Sequence, residues 1–306
     1  MYDMIHKHFC PVLLHKNGNI IFDIMDKLYS SEIVYRPPQE EGSALLEVTA
    51  GCSYRKCTFC DFARDPFKVF SLQEIENKAQ LLNSIINNNS RLFLLGQNPF
   101  VLSPQILKEI LIIVSKHLPS VKEVSMYARV DDINRKTHAE LRELKSLGLK
   151  DLHVGVETGS DIILKKCNKG ISLDDMLSAF DALEKAEIEY SVTSILGLGG
   201  RALSDVNALD TAALYNRIHP NWIWCMALKL WENTPLFKLN AEGQFDMLTP
   251  KEMLLEERLM LENMQTDNCC FVDSTALNQY TLIGRLKKGK DTLIKALDQL
   301  IQTETN

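Results

Sequence analysis

Residues 44–60 read Ala44-Leu45-Leu46-Glu47-Val48-Thr49-Ala50-Gly51-Cys52-Ser53-Tyr54-Arg55-Lys56-Cys57-Thr58-Phe59-Cys60. The run 44–49 has the apolar, β-prone composition of a short buried strand. Behind it come three cysteines, separated by four and then two residues. A loop leaving a strand can fold back so that closely spaced thiolates converge on one metal centre, and iron-sulfur clusters are ordinarily held by four such thiolates. Three thiolates leave one iron open to an outside ligand, as catalytic metal sites keep a position vacant where structural sites close it.

From this strand onward, apolar runs alternate with helical patterns. Ala44 to Thr49, Leu92 to Gly96, Glu123 to Ala128, Leu152 to Glu157, Tyr190 to Leu196 and Trp222 to Leu228 read as buried parallel strands. The helices between them carry start signals. Ser71 with Glu74 and Thr137 with Glu140 form capping boxes, Ser103-Pro104 supplies a cap and a first-turn proline, and Gly148 closes the third helix. Ser172 and Ser204 are read as the caps of the next two helices, whose apolar positions are Leu173, Met176, Leu177, Phe180, Leu183 and Val206, Leu209, Ala213. Each strand-helix unit is about thirty to forty-five residues long, the size of a βα repeat. Six such units favour an α/β fold that is a partial (β/α)6 TIM-type barrel; an open doubly wound sheet is the other solution.

The expected organisation is an N-terminal extension and linker at 1–43, the barrel at 44–249 and a C-terminal helical cap at 250–306. The extension contains a short helix around Ile21 to Leu28, then Tyr35-Arg36-Pro37-Pro38-Gln39-Glu40, which proline forces into an extended linker. The tail reads as a helix to about Met264, a loop rich in Asp, Asn and Cys, and a final helix from Asp291. Arg285-Leu286-Lys287-Lys288-Gly289-Lys290 reads as a solvated loop before that helix.

A chain of 306 residues at 45% hydrophobic suits one large α/β domain or two modest ones. Its net charge of -6 argues against a nucleic-acid surface, which needs clustered Lys and Arg. No secretory pattern and no apolar run of membrane-spanning length stands out, so no membrane partner and a cytoplasmic location are expected. Of the eight cysteines, Cys10, Cys167, Cys225, Cys269 and Cys270 lie apart from the cluster, a placement that suits a reducing compartment with one metal site. The adjacent Cys269-Cys270 is read as structural, because neighbouring side chains point apart. No histidine, among His6, His8, His15, His138 and His153, has metal-motif spacing, and structural roles are expected for them. Gly197-Leu198-Gly199-Gly200 lacks the spacing of a dinucleotide fingerprint.

The loop Ala50 to Cys60 resembles the cluster loop of the radical S-adenosylmethionine (SAM) superfamily, in the subgroup with four residues between the first two cysteines. Tyr35-Arg36-Pro37-Pro38, His153-Val154-Gly155-Val156-Glu157-Thr158-Gly159-Ser160-Asp161, Asn168-Lys169-Gly170 and Leu196-Gly197-Leu198-Gly199-Gly200-Arg201 resemble the same subgroup, in order, within roughly residues 35 to 290. The resemblance implies a partial barrel holding a 4Fe-4S cluster on Cys52, Cys57 and Cys60, with SAM on the open iron. It also implies reductive cleavage to a 5'-deoxyadenosyl radical that abstracts hydrogen from a small-molecule substrate, and an electron from a reduced flavodoxin or ferredoxin.

Carried over residue by residue, the resemblance puts Phe59 either near the adenine or in ordinary packing. Gly96, Gln97 and Asn98 occupy the place where the superfamily often has two glycines and an acid for the SAM amino group; this chain has no acid in that stretch. Amide oxygens can still accept from an ammonium. Arg129 either offers donors to a carboxylate of SAM or substrate, or pairs with Asp131 or Asp132. Glu157 and Thr158 resemble the positions that hold the ribose and methionine portions, and a buried acid without a partner would be costly to ionise. Ser194, Gly197 and Gly199 belong to the fifth strand and its exit, where glycine permits close approach of a ligand or simply a tight turn. Trp231 and Lys229 at the end of the sixth strand either meet substrate or cap the rim.

Two other readings stay open at this point. One is a non-catalytic electron-transfer or sensor protein with a fourth donor from Cys269 or Cys270; the other is a zinc module using the same thiolates. The 43 residues before the barrel are too few for a cobalamin-binding domain, and the tail offers no recognisable tRNA-binding module, which counts against cobalamin-dependent methyl transfer and tRNA thiomethylation.

Overall fold

A computed structural model describes residues 5–6, 24–31, 33–61, 66–86, 88–266, 268–274, 278 and 280–304. Cys10, His8, His15 and residues 21–23 of the expected first helix lie outside them. The chain divides into two compact units: residues 1–53, 62–153 and 185–188 form one, and 54–61, 154–184 and 189–306 the other.

In the first unit a short antiparallel pair joins β1 (Ile5–His6) to β2 (Ile33–Val34), with helix α1 at residues 24–28 between them in the chain. The core is a parallel set. β3 (Ala44–Glu47) pairs with β6 (Arg91–Leu95), in register Ala44 to Leu92, and β6 pairs with β7 (Glu123–Ala128), in register Arg91 to Glu123. Leu46, Leu92, Phe93 and Leu94 are fully buried, as strands covered on both faces require. Two-residue strands β4 (Thr49–Ala50) and β5 (Lys68–Val69) pair antiparallel across the base of the cysteine loop.

The helices start where their caps dictate. α2 (Leu72–Asn83) begins at the Ser71/Glu74 capping box, α3 (Pro104–His117) at Ser103 with Pro104 in the first turn, and α5 (His138–Ser146) at the Thr137/Glu140 box. Each box satisfies two otherwise orphaned backbone donors. α2 turns Ile75, Ala79 and Leu82 inward and α3 turns Leu107, Ile110, Leu111 and Val114 inward, helical spacings that bury one face. The short α4 (Val130–Asn134) follows β7 directly. Gly148, at φ 105°, ends α5 in a conformation that a Cβ would strain.

β8 (Leu149–Glu157) begins in the first unit and ends in the second. In the second unit α6 (Asp161–Lys166) and α7 (Leu173–Lys185) precede β9 (Glu189–Leu196), and α8 (Ser204–Tyr215) precedes β10 (Trp222–Ala227). β9 and β10 are parallel over Ser191 to Leu196. α9 (Pro235–Ala241), capped by Thr234, and α10 (Pro250–Asn263), capped by a Thr249/Glu252 box, follow.

Four local expectations need correction. Ser204 is the first residue of α8 rather than its cap, and its hydroxyl donates to Glu256 at 2.6 Å. The inward face of α8 is accordingly Asn207, Ala208, Thr211, Ala212 and Tyr215, while Leu209 is exposed. The Tyr35–Glu40 linker is not extended throughout: Pro38–Glu40 forms a 3-10 turn, with Arg36 Nη1 donating to the Glu40 carbonyl at 2.8 Å and to the Glu41 carbonyl. The tail, expected to be a helical cap, also holds two strands, β11 (Cys270–Asp273), parallel to β10, and β12 (Leu282–Arg285), antiparallel to β11. Finally, α11 runs Leu286–Thr303, so Leu286 to Lys290 are its opening turn and not a loop.

A buried charge cluster pins the linker in the first unit. The Glu40 side chain, wholly buried, meets Arg91 Nη2 at 2.5 Å and His153 Nε2 at 2.9 Å, and accepts from Ser125 Oγ at 2.8 Å. Arg91 also reaches Asp151 at 2.6 Å. Burial would raise the Glu40 carboxyl, but hydrogen bonds and charge from His153 and Arg91 hold it well below the usual carboxylate range. His153 is thus the satisfied structural histidine expected from sequence. Among the described residues Glu40, Asp151 and His153 have the spacing of a metal group, yet Arg91 already supplies the positive charge.

Candidate functional site

The cysteine loop begins at the end of the β3 segment, because a glycine at φ 68°, Gly51, lets the chain turn out of the β4 bridge. In the second unit, residues 54–61 are anchored by the Asn168-Lys169-Gly170 turn. Thr58 N donates to the Cys167 carbonyl at 2.9 Å, Tyr54 Oη to the Asn168 carbonyl at 2.9 Å, and Asn168 Nδ2 to the Lys56 carbonyl at 3.0 Å. Gly170, at φ 74°, lies so close to the tyrosine that a Cβ there would meet Tyr54 Oη at 2.2 Å. Leu236 N, in the first turn of α9, donates to the Thr58 carbonyl at 2.9 Å. The Asn168–Gly170 stretch, legible in the sequence only as a pattern, thus fixes the backbone of Cys57-Thr58-Phe59-Cys60.

The same turn supplies a cation. Lys169 Nζ lies 2.6 Å from Glu157 Oε1, and Thr193 Oγ1 donates to Glu157 Oε2 at 3.0 Å. Glu157 closes β8 at φ 70°, a left-handed conformation that an unbranched carboxylic side chain adopts only at a cost. Its charge is compensated inside the protein, so the expected penalty for an unpaired buried acid does not arise. Nothing in the sequence pattern states that Lys169 and Thr193, 12 and 36 residues from Glu157, meet it.

In the first unit Gly96, Gln97 and Asn98 follow β6. Gly96 has φ 145°, and a Cβ there would fall 2.0 Å from Thr49 Oγ1. Asn98 is fully buried, and its Nδ2 donates to Ser53 Oγ at 2.9 Å and to Asp132 Oδ2 at 2.6 Å. The Asp132 carboxylate, which accepts only, fixes which end of the amide is nitrogen. Asn98 Oδ1 and Gln97 Oε1 are left buried with no donor among the described residues. The acid missing from the Gly96–Asn98 stretch is supplied to it by Asp132 from α4, a contact across 34 residues.

Arg129 is buried and its Nε pairs with Asp131 Oδ1 at 2.9 Å. Thr158 is fully buried, its Oγ1 accepting from Ser160 N at 3.1 Å. Ser194 is buried beside the Tyr215 hydroxyl and the Cys225 thiol. Gly197 N donates to Glu256 Oε1 at 2.8 Å, and Gly199 packs so closely that a Cβ would meet Ile163 and Leu203 at 2.9 Å, which ties this exit to the helices beside it. Phe59 is half-buried. Lys229 Nζ sits 3.9 Å over the Trp231 ring.

Cys52, Cys57 and Cys60 are half-buried and form no disulfide. Cys167, Cys225, Cys269 and Cys270 are buried, and burial pushes their thiols up, Cys167 and Cys269 to about 12. A cluster ligand must be a thiolate, so the donor set that fits an iron-sulfur centre is the loop triplet, not the buried four. The orphaned oxygens of Gln97 and Asn98 likewise fit a group rich in N–H donors, such as an amino acid's ammonium.

The chain is 24% identical over 220 residues to the heme chaperone HemW of Buchnera aphidicola subsp. Schizaphis graminum, covering 66% of this chain and 56% of that one. It is 23% identical over 282 residues to a tRNA-2-methylthio-N(6)-dimethylallyladenosine synthase of Ehrlichia canis, covering 89% and 62%. It thus spans less than two thirds of the length of these curated relatives. Among solved structures it resembles methylornithine synthase (PylB), with a TM-score of 0.53 over 84% of this chain and 81% of that one at 15% identity, a likeness that shows the shared α/β partial-barrel fold. The Radical SAM superfamily pattern matches residues 46–212, more than half of the sequence. The chain therefore belongs to the radical SAM superfamily, whose cofactors are a 4Fe-4S cluster and S-adenosylmethionine.

Proposed function

We propose that the chain is a catalytic radical SAM enzyme acting on a small-molecule substrate. Cys52, Cys57 and Cys60 hold the cluster. Gln97 Oε1 and Asn98 Oδ1 accept from the SAM ammonium, while Glu157, with Thr158 and the Ser194–Gly199 exit, lies beside its ribose and methionine portions. Arg129, paired with Asp131, is the residue assigned to a carboxylate of SAM or substrate, and Phe59 flanks the adenine. When bound, this pair of cofactors supplies one electron to the sulfonium and thereby a 5'-deoxyadenosyl radical. The electron comes from a reduced flavodoxin or ferredoxin. The chain's own residues position: the Asn168–Gly170 turn holds the loop, Lys169 orients Glu157, and Asp132 orients Asn98.

The observation that supports this reading best is the contrast between three accessible loop thiols and four buried, hard-to-ionise ones. It opposes the sensor reading, in which Cys269 or Cys270 would close the cluster, since both sit in the packed stretch entering and forming β11. A second reading, a heme carrier, is favoured by the likeness to HemW. The deciding experiment is anaerobic reconstitution followed by SAM and dithionite. A brown protein that releases 5'-deoxyadenosine upholds catalysis; a brown protein that binds heme but releases none favours the carrier, and a colourless one removes both.

A further inference from the structure

The second unit contains a cavity of about 190 Å³ at the carboxyl ends of β9, β10 and β11, the end at which barrel enzymes gather reacting groups. Its walls are mainly apolar, including Leu196, Leu228, Met253 and Leu254, and into it face two acids, Glu257 from α10 and Asp273 from the end of β11. These acids are 1% and 3% exposed. Glu257 and Asp273 hydrogen-bond to each other, but Glu257 Oε1 and Asp273 Oδ1 have no donor among the described residues, and none of the described lysines, arginines or histidines pairs with either oxygen. The neighbouring Glu256 shows what a structural buried acid looks like here: it accepts from Gly197 N at 2.8 Å, Asn207 Nδ2 at 2.7 Å and Ser204 Oγ at 2.6 Å. Two consecutive helix residues thus bury their carboxyl groups, one fully satisfied and one turned with Asp273 toward an apolar hollow.

Burying two carboxyl groups together disfavours ionising both. Burial raises each of them, and the proximity of Asp273 raises Glu257 further, so the pair keeps a proton. Orphaned carboxylate oxygens in a low-dielectric hollow are a strong attractor for a desolvated cation with several N–H donors. The described Lys and Arg side chains do not fill that role. Among the described residues, Tyr280 also faces the hollow and donates its hydroxyl to Glu304, and the buried Cys225 thiol, pushed up by burial, lies close enough to feel both acids. An apolar cavity of about 150 Å³ admits a benzene-sized molecule, so this one holds a body of roughly six carbons with a compact head.

We infer that this cavity is the substrate pocket and that it takes an aliphatic primary amine, with the ammonium on Glu257 and Asp273 and the hydrocarbon against Leu196, Leu228, Met253 and Leu254. The inference rests on the proposed catalytic reading and narrows its substrate class. Binding balances as the pair, carrying one proton and one negative charge, plus R–NH3+ giving a doubly ionised pair with R–NH3+ and one released proton.

The test uses the full chain with its cluster and three probes of equal length, n-hexylamine, 1-hexanol and hexanoate, followed by titration calorimetry in buffers of different ionisation enthalpy. Hexylamine should bind at least tenfold more tightly than hexanol, hexanoate should not bind, and up to one proton should be released per amine at pH 7. The double variant Glu257→Gln, Asp273→Asn should lose at least tenfold in amine affinity and all proton release while binding hexanol as before. Equal affinity for amine and alcohol on the unaltered protein would overturn the inference even if the double variant failed to fold. Release of 5'-deoxyadenosine without amine binding overturns this inference alone; amine binding without that release overturns the catalytic reading and leaves the pocket.

Discussion

Arg91→Met is expected to destabilise the chain by about 3–4 kcal/mol at pH 7.5. The guanidinium lies between two buried carboxylates, meeting Glu40 at 2.5 Å and Asp151 at 2.6 Å, with side-chain exposures of 0% and 10% for the two acids. Removing one partner of a buried ion pair costs about 3–5 kcal/mol, because the charge left behind is uncompensated. Arg91 is itself 26% exposed, which moves the figure toward the lower half of that range, and its 3.3 Å contact with the largely exposed Glu123 adds little. Methionine keeps most of the packing volume, so the loss reports charge. The sign of the pH dependence follows from Glu40, whose carboxyl is held below its ordinary 4.5 in the folded chain. Its contribution is complete above that unfolded value and fades as pH falls toward the depressed folded one. Asp151, raised chiefly by burial, opposes this only in part. The gap between native and variant chains should therefore narrow below about pH 4.5. Urea unfolding followed by far-ultraviolet circular dichroism at pH 7.5, 5.5 and 4 measures it. A loss under about 1 kcal/mol, or one that does not change between pH 7.5 and 4, would refute the buried-pair account.

Other outcomes follow from the candidate site. Gln97→Leu should weaken SAM binding by about tenfold, roughly 1.4 kcal/mol, while unfolding stability stays within about 0.5 kcal/mol, because Gln97 Oε1 accepts no hydrogen bond from the described residues; equilibrium dialysis and urea titration read the two effects separately. Gly96→Ala should cost about 2 kcal/mol or more, as a strained φ plus a 2.0 Å approach to Thr49 Oγ1 demands, and a stable variant would show that the turn can relax. Cys57→Ala should leave the chain folded and colourless after reconstitution, whereas Cys269→Ala should remain brown; equal loss of colour in both would end the single-cluster account.

Most of the parallel core was legible because its strands are unbroken apolar runs between helices with explicit caps, and the Ser71, Ser103 and Thr137 caps stand where they were read. β11 escaped notice because Cys270-Phe271-Val272-Asp273 is only four residues long, set between polar segments, and gains its place by pairing with β10. The opening of α11 was hidden by clustered lysines and Gly289, features that weaken a helix locally and are overridden once Leu286, Leu293 and Leu297 find a core. Ser204 carries a good cap residue's chemistry but spends its hydroxyl on Glu256. At the site, three thiols could be read from spacing alone. The partners that hold the site together could not: Lys169 for Glu157, Asp132 for Asn98 and Asp273 for Glu257 are tertiary meetings that no local pattern encodes.

The uneven settings of the cysteines also give the molecule a chemical handle. Alkylating reagents consume thiolate, and a thiol pushed to about 12 presents almost none near neutrality. Of the seven described cysteines, brief treatment of the folded, cluster-free chain with iodoacetamide should therefore mark Cys52, Cys57 and Cys60 and leave Cys167, Cys225, Cys269 and Cys270 intact. Occupancy of the metal centre could then be counted residue by residue, by mass spectrometry, as protection of three known peptides against an internal standard of four.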